Sequence, residues 1–438
     1  MKDEYIRIHP GPKSRAIVQR DKRVISPSLT REYDLVFEKA RGCNVWDADG
    51  RKYLDFASSV AVMNIGYSNQ SVLHAIFLQA KMGTHCGFSD FFAETPVRLA
   101  EVLVSMMPGG LDTVFFSNSG AEAVEAAFKC ARWHSKKKWF IAFKPCFHGR
   151  TMGALSMTNS RPVQRERFSP FLPVKHVSYP YLYRSGFDSE QELSGHCLDR
   201  VEKTIKSLKG NAAGIMFEPI AGEGGYIVPP KSFVKGLRRL CNEHNVLLCC
   251  DEVQSGCFRT GEFLAMENFG VKADIVCLSK AIGGGLPLGA TVASKKIMDW
   301  QPGTHASTFG GNLVACAAGI ATLDFMKRKK LGRNAKRVGK AVMKRLEEIQ
   351  EKSSIVGEVR GMGLMIGVEI VKNKKDKVFG IKERKSIMLE SIKNGLILLG
   401  AGENSIRISP PLIISEDEAM HGLGILEESI RATEREMK

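Results

Sequence analysis

Two residues that can carry charge, each at the end of an apolar segment, are the most informative feature of this sequence. Lys280 follows the apolar segment 276–278 and precedes a glycine-rich stretch, and Asp251 ends the apolar run 246–250. A lysine in such a position could form a Schiff base, because burial lowers its pKa and favours the neutral, nucleophilic amine. A carboxylate at the end of a neighbouring strand is the partner that a protonated pyridine nitrogen needs. The two residues therefore indicate pyridoxal phosphate chemistry before any other.

A turn of small residues, Ser119, Gly120 and Ala121, follows the apolar segment 114–116 and opens a predicted helix. Backbone amides at the start of a helix bind phosphate well. A serine followed by glycine is also an ordinary helix N-cap, so the turn alone is a weak signal. Together with the lysine and the aspartate, it favours a phosphate site.

The segment 147–151 also follows an apolar run and offers two kinds of recognition. Phe147 presents an aromatic face for a ring, and Arg150 presents a guanidinium for a carboxylate, with His148 between them. Taken alone, Phe147 would more often belong to a hydrophobic core.

Glu218 and Glu223 follow the apolar segment 214–217 and lie on a glycine-rich turn. Either glutamate could contact a substrate or serve only as a structural hydrogen-bond acceptor. A buried carboxylate needs a compensating partner, and a buried ammonium needs one as well. For Asp251 a pyridinium nitrogen supplies it, and for Lys280 the covalent bond to a cofactor removes the need.

The composition indicates a globular protein with a large core. The chain has 438 residues, 44% of them hydrophobic, which is enough for more than one domain. No apolar run approaches the roughly 20 residues needed to cross a bilayer, and the first residues lack the apolar core of a signal peptide. We therefore expect a cytoplasmic protein without a membrane partner.

The 11 cysteines and the formal charge of +16 are less specific. Cys249, Cys250 and Cys277 lie in apolar segments, and no two cysteines form a C-x-x-C pair, which is typical of reduced, buried thiols. We therefore predict neither a metal site nor a disulfide framework. The basic runs are separated and carry no interleaved aromatic residues. We interpret them as solvated surfaces, compatible with anionic substrates and with no specific nucleic-acid partner.

Short apolar runs alternate with helical patterns over the middle of the chain. The predicted helices cover 121–134 and 234–244, and the predicted buried strands cover 114–116, 139–143, 214–217, 246–250 and 275–278. This alternation predicts an α/β domain with a mainly parallel sheet. The ligand site should lie at the carboxyl ends of the strands, where the chemically interesting residues occur.

The pattern changes near residue 330, which predicts a separate C-terminal domain. A lysine-rich amphipathic helix is predicted at 333–353 and an exposed hairpin tip at 372–380. Three strands are predicted at 364–371, 396–399 and 406–408. We predict three parts: an N-terminal segment packing with the small domain (1–65), a large cofactor-binding domain (66–330) and a small C-terminal domain (331–438).

These motifs resemble the class III aminotransferases, the ornithine, acetylornithine and 4-aminobutyrate type of pyridoxal phosphate enzyme of fold type I. The resemblance runs from the motif at 56–62 to the motif at 407–412, nearly the whole chain, and the motifs recur in the family's order. It implies an α/β enzyme. Its large domain would have a mainly parallel, seven-stranded type of sheet flanked by helices, and its smaller α+β domain would be built from both termini.

The resemblance also assigns the cofactor contacts. Lys280 would bind pyridoxal phosphate covalently and, once the substrate amine displaces it, move a proton between substrate and cofactor. Asp251 would keep the pyridine nitrogen protonated, and Gln254 would contact the ring hydroxyl. The other predicted cofactor-binding residues are Ser119, Gly120 and Ala121 at the phosphate, Phe147 and Val253 on the two ring faces, His148, and Thr308 from the neighbouring subunit. The last contact implies a homodimer or a dimer of dimers with active sites at the interface.

For the substrate, the resemblance implies a pocket with a switch. Arg407 would bind the α-carboxylate of an α-amino acid, and Glu223 would pair with Arg407 when an ω-amine is processed. Arg150 would bind the far carboxylate of the donor, and Glu218 is a further candidate. Val60 is aliphatic where ornithine enzymes tend to carry tyrosine, which disfavours ornithine.

Two departures from the family pattern affect these expectations. Ala121 replaces a threonine near the phosphate, but the backbone contacts can remain, so cofactor binding should survive. Ala221 replaces a glutamine on the substrate side, which weakens any inference about specificity.

The preferred hypothesis is a ping-pong transfer of an amino group from an ω-amino acid, above all 4-aminobutyrate, to 2-oxoglutarate. The alternatives are an acetylornithine or ornithine aminotransferase and an amino acid racemase. A racemase needs a second acid or base on the opposite face of the substrate, and the sequence does not place one. A catalytically silent, nucleic-acid-binding relative is disfavoured by the intact Lys280, Asp251 and Arg407.

Overall fold

The computed structural model describes residues 10–437. Residues 1–9 and Lys438 lie outside this part, and so do the first residues of the predicted N-terminal segment, for which no signal peptide is predicted. None of the described helices combines the length and the apolar character that a membrane span requires. The helices are α1 (Pro12–Val24), α2 (Ser58–Ala61), α3 (Gln70–Met82), α4 (Glu94–Met106), α5 (Gly120–Ser135), α6 (Met152–Met157), α7 (Glu190–Ser207), α8 (Lys231–Glu243), α9 (Leu313–Arg328), α10 (Leu331–Lys352), α11 (Ile381–Lys393) and α12 (Glu416–Glu436).

The strands of the described part form three sheets. In chain order they are β1 (Phe37–Arg41), β2 (Asn44–Asp47), β3 (Lys52–Asp55), β4 (Thr113–Ser117), β5 (Trp139–Lys144), β6 (Val174–Ser178), β7 (Ala212–Phe217), β8 (Leu247–Asp251), β9 (Ile275–Leu278), β10 (Gly289–Ala293), β11 (Val356–Met362), β12 (Met365–Ile370), β13 (Leu396–Ile397), β14 (Leu399–Ala401) and β15 (Ser405–Ile408).

The largest sheet has seven strands in the order β4-β10-β9-β8-β7-β5-β6. All pairings from β9 to β6 are parallel, and β10 alone runs antiparallel to its two neighbours. Every residue of β7, β9 and β10 is buried, as expected for central strands covered by helices on both faces. The prediction of a mainly parallel α/β sheet flanked by helices is confirmed.

All five predicted strands of this sheet are present, as are the helices predicted at 121–134 and 234–244. The sequence prediction missed β6 and β10. β6 lies at the edge of the sheet and is only partly buried, so it carries no continuous apolar run. β10 reads Gly-Ala-Thr-Val-Ala, and its small residues give little hydrophobic signal although all five are buried.

The register of the sheet brings the chemically interesting residues to one edge. Asp251 pairs with Cys277 across β8 and β9, so Lys280 follows three residues beyond the partner of Asp251. The antiparallel strand β10 enters from the same edge, where Gly289 pairs with Ser117. The site therefore lies at the carboxyl ends of the parallel strands, as the alternation of helices and strands predicts.

Two four-stranded sheets contain the rest of the strands, in the orders β1-β2-β3-β13 and β11-β12-β15-β14. β13 pairs in parallel with β3, so the N-terminal strands share a sheet with the C-terminal part of the chain. The strand predicted at 396–399 is two short strands, because the chain passes from one sheet to the other at Leu398. The predicted exposed hairpin tip is confirmed: residues 372–379 are exposed, and an antiparallel bridge between Val371 and Phe379 closes the segment just before α11. The division into three parts stays a prediction.

The long amphipathic helix predicted at 333–353 is α10, which contacts β11 and α12. Its close approach to the turn between β11 and β12 depends on Gly339. A Cβ built at Gly339 would lie 2.1 Å from the carbonyl oxygen of Gly363. Backbone cannot yield as a flexible side chain can, so α10 packs here only with glycine.

We expect Gly339→Ala to lower the free energy of unfolding by about 1–3 kcal/mol, the usual cost of overpacking. The matched control is Gly424→Ala in α12, where an added Cβ meets nothing within 4 Å. Alanine is the better helix former there, so this variant should be more stable by about 0.5–1 kcal/mol. Urea unfolding followed by circular dichroism measures both, and equal effects would contradict the close approach of α10.

Candidate active site

Lys280 lies at the carboxyl edge of the large sheet, two residues beyond the end of β9. It begins the short 3₁₀ turn Lys280–Gly283 with a φ of +45°, a backbone conformation that is uncommon outside glycine and recurs at functional sites. Ser279 supports this turn, because its hydroxyl donates a hydrogen bond of 2.7 Å to the carbonyl oxygen of Leu288. The fold thus fixes the lysine backbone beside the end of β8.

The surroundings of Lys280 lower the pKa of its amine. Burial is the main cause, and the charge of Arg407 acts in the same direction, whereas the charges of Glu223, Asp251 and Glu218 oppose it. A larger fraction of the amine is therefore neutral near neutral pH than in a free lysine, as a nucleophile requires. The charges of these four residues therefore act together on the amine of Lys280.

Asp251 is buried at the end of β8 and is held by His148. Nδ1 of His148 lies 2.8 Å from Oδ2 of Asp251, and the amide of Val253 donates to Oδ1 at 3.1 Å. Burial lowers the pKa of His148, but the hydrogen bond and the charge of Asp251 outweigh burial, so the pKa is raised overall. The two side chains thus compensate for each other's burial.

The turn before α5 forms a cradle for an anion. Ser119 is the N-cap, and its hydroxyl accepts a hydrogen bond of 3.2 Å from the amide of Glu122. The amides of Gly120 and Ala121 begin the helix, where no intrahelical acceptor exists and the helix dipole favours negative charge. A Cβ on Gly120 would lie 2.7 Å from Cγ1 of Val253, so glycine is required for the turn to approach Val253.

Sequence reasoning missed three polar residues beside this cradle. Oε2 of Glu122 accepts hydrogen bonds of 2.9 Å from the backbone amide and from the side-chain amide of Asn118. Nδ2 of Asn118 also donates to Oγ of Ser307 at 3.0 Å. The spacing of Ser119 and Glu122 is that of a capping box and could have revealed the glutamate. Ser307 carries no such signal, because it lies 189 residues away in the sequence.

Phe147 and Gln254 flank the same pocket. The amide of Phe147 donates to Oε2 of Glu218 at 2.9 Å, which fixes the backbone from which the ring projects. The guanidinium carbon of Arg150, an exposed residue, lies 5.7 Å from the centre of that ring. Gln254 is buried against Gly222, where a Cβ would lie 2.4 Å from its side-chain nitrogen.

Two buried polar atoms of the pocket have no hydrogen-bond partner among residues 10–437: Nε2 of His148 and Oε1 of Gln254. An unsatisfied buried polar atom costs about 1–3 kcal/mol. Pyridoxal phosphate carries an aldehyde for the amine of Lys280, a phosphate for the start of α5 and polar ring substituents for a buried amide. The residues present therefore fit this cofactor.

Glu218 is buried beneath the segment of Phe147, and both of its oxygens accept backbone hydrogen bonds, from Phe147 at 2.9 Å and from Gly222 at 3.1 Å. Burial raises its pKa to about 7. Its carboxylate lies within 4.8 Å of donor atoms of Cys146 and His148, a spacing that could also hold a metal ion. Substrate contact by Glu218 and the absence of a metal site both stay predictions.

Arg407, on β15, and Glu223 form a bidentate ion pair. The distances are 2.8 Å from Nη1 to Oε1 and 3.2 Å from Nη2 to Oε2. Nε and Nη2 of Arg407 also donate to the carbonyl oxygen of Gly400, at 3.0 and 2.5 Å. Burial opposes both charges, but the partner outweighs it, so the pKa of Arg407 is raised and that of Glu223 is lowered.

Val60 lies in α2, a single turn of left-handed backbone. The φ values of residues 58–61 run from +40° to +61°. This conformation costs L-residues about 1–2 kcal/mol each, so the turn needs outside support. Oδ1 of Asp55 provides part of it by accepting the amides of Ala57 at 2.7 Å and Ser58 at 3.1 Å.

Thr308 stands apart from the other candidates. It is exposed on the segment between β10 and α9, next to Phe309, whose side chain is also exposed. Within the described residues, neither Thr308 nor Val60 makes a hydrogen bond or ion pair with another predicted site residue. The contact of Thr308 with a neighbouring subunit's cofactor stays a prediction.

The large sheet, with an amine and a carboxylate at its carboxyl edge and a helix start beside them, defines a fold-type I pyridoxal phosphate enzyme. The chain belongs to the aminotransferase class-III family, whose family model matches residues 26–430. It is thus a pyridoxal-phosphate-dependent enzyme of the aminotransferase class, and membership implies amino acid and 2-oxo acid substrates. The predicted family, fold type and cofactor are confirmed.

Relatives within this family have different activities. The chain is 36% identical to a leucine/methionine racemase of Thermococcus litoralis, over 95% of this chain and 96% of that protein. It is 39% identical to an acetylornithine aminotransferase of Methanopyrus kandleri, over 90% and 93%. It is 33% identical to a probable 4-aminobutyrate aminotransferase of Bacillus subtilis, over 94% and 97%.

Among solved structures, an amine transaminase from an uncultivated Pseudomonas species, with pyridoxal phosphate bound, is similar to this chain. The TM-score is 0.88 at 32% sequence identity, with 94% of this chain and 98% of that chain covered.

We expect Gly120→Ala to weaken binding of pyridoxal phosphate to the apoenzyme by about 5- to 100-fold, because making room for a methyl group against Val253 costs about 1–3 kcal/mol. The control is Gly109→Ala, where an added Cβ meets nothing within 4 Å. Fluorescence titration of the apoenzyme with the cofactor gives both dissociation constants. An unchanged constant for Gly120→Ala would mean that the turn does not hold the phosphate.

Proposed function

We propose that the protein transfers an amino group from an ω-amino acid, with 4-aminobutyrate as the preferred donor, to 2-oxoglutarate by a ping-pong mechanism. The closed ion pair between Arg407 and Glu223, at 2.8 and 3.2 Å, carries the proposal. While the pair is closed, Glu223 compensates the charge of Arg407. The pocket then favours a donor without a carboxylate on the carbon that bears the amine, and an ω-amino acid is such a donor.

Pyridoxal phosphate supplies an aldehyde that takes up the amino group and a ring that accepts electrons from the adjacent carbon. Lys280 binds the cofactor covalently. The lowered pKa of Lys280 favours its neutral amine, which could accept a proton from the donor carbon. Asp251 holds a proton on the ring nitrogen, and His148 holds Asp251 in place.

The positions of the other candidate residues support the remaining cofactor contacts of the proposal. The amides of residues 119–121 bind the phosphate at the start of α5. Phe147 and Val253 pack against the ring, and Gln254 contacts its hydroxyl from a buried position. Because backbone hydrogen bonds or close packing fix these residues, they would hold the ring in one orientation.

The second half of the reaction needs the charge of Arg407, because 2-oxoglutarate has a carboxylate next to its reacting carbonyl. Glu223 can move away, since its side chain is 21% exposed, whereas that of Arg407 is 4% exposed and stays bound to Gly400. Arg150 binds the far carboxylate from its exposed position. Val60 lines the pocket, and its aliphatic side chain disfavours ornithine.

The active unit in this proposal is a homodimer or a dimer of dimers. Large exposed apolar side chains occur on α3, on the segment that precedes α4 and beside Thr308: Phe77, Met82, Phe91, Phe92 and Phe309. Exposed large apolar side chains in such number are compatible with an interface. A second copy covering it would bring Thr308 to the neighbouring cofactor phosphate. The cytoplasmic location stays a prediction.

An amino acid racemase is the second candidate, and the 36% identity with a leucine/methionine racemase favours it. Such an enzyme would use the same lysine and cofactor but would need a second acid or base on the opposite face. Acetylornithine aminotransferase is a variant of the first candidate, favoured by the 39% identity to such an enzyme. It would place the same ω-amine next to Lys280.

A donor panel tests the proposal. The holoenzyme is incubated with 2-oxoglutarate and, in turn, 4-aminobutyrate, N-acetylornithine, ornithine and L-leucine, and both glutamate and the enantiomeric composition of leucine are measured. We expect the largest kcat/KM for glutamate formation with 4-aminobutyrate and none with Lys280→Ala. Racemisation of leucine without any oxo acid product would select the racemase instead.

The switch gives a separate prediction for Arg407→Gln. This variant should slow the half-reaction with 2-oxoglutarate by about 10- to 150-fold, the value of hydrogen bonds to a charged group, and slow the half-reaction with 4-aminobutyrate much less. Single-turnover absorbance changes of the cofactor measure each half-reaction. Arg431→Gln, which removes the exposed partner of an ion pair with the largely buried Glu427 on α12, is the control and should change neither. Equal loss in both half-reactions of Arg407→Gln would contradict the switch.

A further inference from the structure

Arg259 is the largest fully buried side chain in the described part of the molecule. Its guanidinium donates to four described acceptors, and none of them is a carboxylate. Burial lowers its pKa to about 10. Arginine is almost never fully buried without a paired acid, because desolvating its charge is costly. The hydrogen bonds around Arg259 should therefore explain why a buried arginine occupies this position.

The four acceptors belong to three distant parts of the chain. Nη1 donates to the carbonyl oxygens of Leu364 at 3.0 Å and Pro410 at 2.6 Å. Nη2 donates to Oγ of Ser58 at 3.3 Å and makes a short hydrogen bond to Oδ1 of Asn64. These partners lie 105 to 201 residues from Arg259 in the sequence. The planar fork of one arginine thus joins segments that no local interaction could align.

Two of the joined segments carry the two sides of the proposed substrate pocket. Ser58 begins the left-handed turn that contains Val60, and Pro410 follows Arg407 by three residues. The same two segments contact each other through Ser409. Its amide donates to the carbonyl oxygen of Phe56 at 2.7 Å, and its own carbonyl oxygen accepts from the hydroxyl of Ser58 at 2.6 Å. Arg259 spans this contact.

We propose that Arg259 is a positioning residue that holds the turn of Val60 and the strand of Arg407 in one fixed arrangement, and so sets the fit of the substrate between them. The role in substrate fit rests on the proposed function. The turn stores backbone strain and is kept left-handed only by its outside partners, so the loss of one partner lets it relax. Lysine would keep the charge, but its three donors share one nitrogen and cannot reproduce the planar fork, whose two separate nitrogens reach acceptors in three segments.

The test compares Arg259→Lys with the milder Ser58→Ala, which removes one member of the network. The matched control is Arg238→Lys. Arg238 also donates to a carbonyl oxygen, that of Lys272, and pairs with Asp274 at 2.8 Å, but it lies on α8 away from the pocket. We expect Arg259→Lys to raise KM for 2-oxoglutarate by about tenfold or more with kcat changed less than about threefold, as for a misplaced binding group. Ser58→Ala should change KM in the same direction by a smaller factor, and Arg238→Lys should leave KM unchanged.

Hydrogen exchange of the holoenzymes provides a readout that does not depend on the substrate. Arg259→Lys and Ser58→Ala should speed amide exchange in the segments 56–64 and 409–412 together, and Arg238→Lys should affect neither. If Arg259→Lys fails to fold, Ser58→Ala decides. Unchanged exchange in both segments, or unchanged KM with only a lower melting temperature, would overturn the proposal. Absence of glutamate formation by the wild type would instead refute the proposed function, while the exchange data would still decide whether Arg259 holds the two segments.

Discussion

The hydrogen-bonded pair of Asp251 and His148 is the interaction on which the rest of the site depends. A carboxylate buried at a strand end is unfavourable unless another group compensates for its lost hydration. His148 does so at 2.8 Å, and the amide of Val253 adds a second hydrogen bond. Because Asp251 pairs in register with Cys277, the same strand end also determines where Lys280 emerges. One compensated carboxylate thus links the sheet register to the position of the reactive amine.

The other charged residues of the site also compensate for one another's burial. Two basic residues, Lys280 and Arg407, lie near buried carboxylates; burial lowers the pKa of Lys280, whereas the ion pair raises the pKa of Arg407 and lowers that of Glu223. The amine is pushed towards its neutral form by burial more strongly than the acids push it back. Arg407 is stabilised as a cation because Glu223 is bidentate to it. The fold thus gives two basic residues different roles. Lys280 is favoured as a neutral nucleophile, and Arg407 is stabilised as a cation that can bind an anion.

Local sequence patterns predict the strands that carry the site. They do not predict contacts between residues that are distant in the sequence. The apolar runs predict β8 and β9, the strands that end at Asp251 and precede Lys280, because a central strand buried on both faces is an uninterrupted run of apolar residues. β10 escaped notice because its residues are small, although all are buried. The roles of Ser307 and Arg259 cannot be predicted from the sequence, because their hydrogen-bond partners lie 105 to 201 residues away and no sequence pattern indicates such a contact. The roles of the site residues were inferred from a family resemblance, not from such patterns.

In the proposed function, the choice between transfer and racemisation depends on the Arg407–Glu223 pair rather than on the cofactor residues. An ω-amine leaves the pair closed, so Glu223 keeps a lowered pKa and is a poor proton donor. Proton movement is then left to Lys280 alone, which is what transfer requires. An α-carboxylate would compete for Arg407 and release Glu223, whose burial would then raise its pKa and make it a second titratable group. Racemisation needs such a group on the opposite face of the substrate, and the closed pair in this structure supports the proposed transfer.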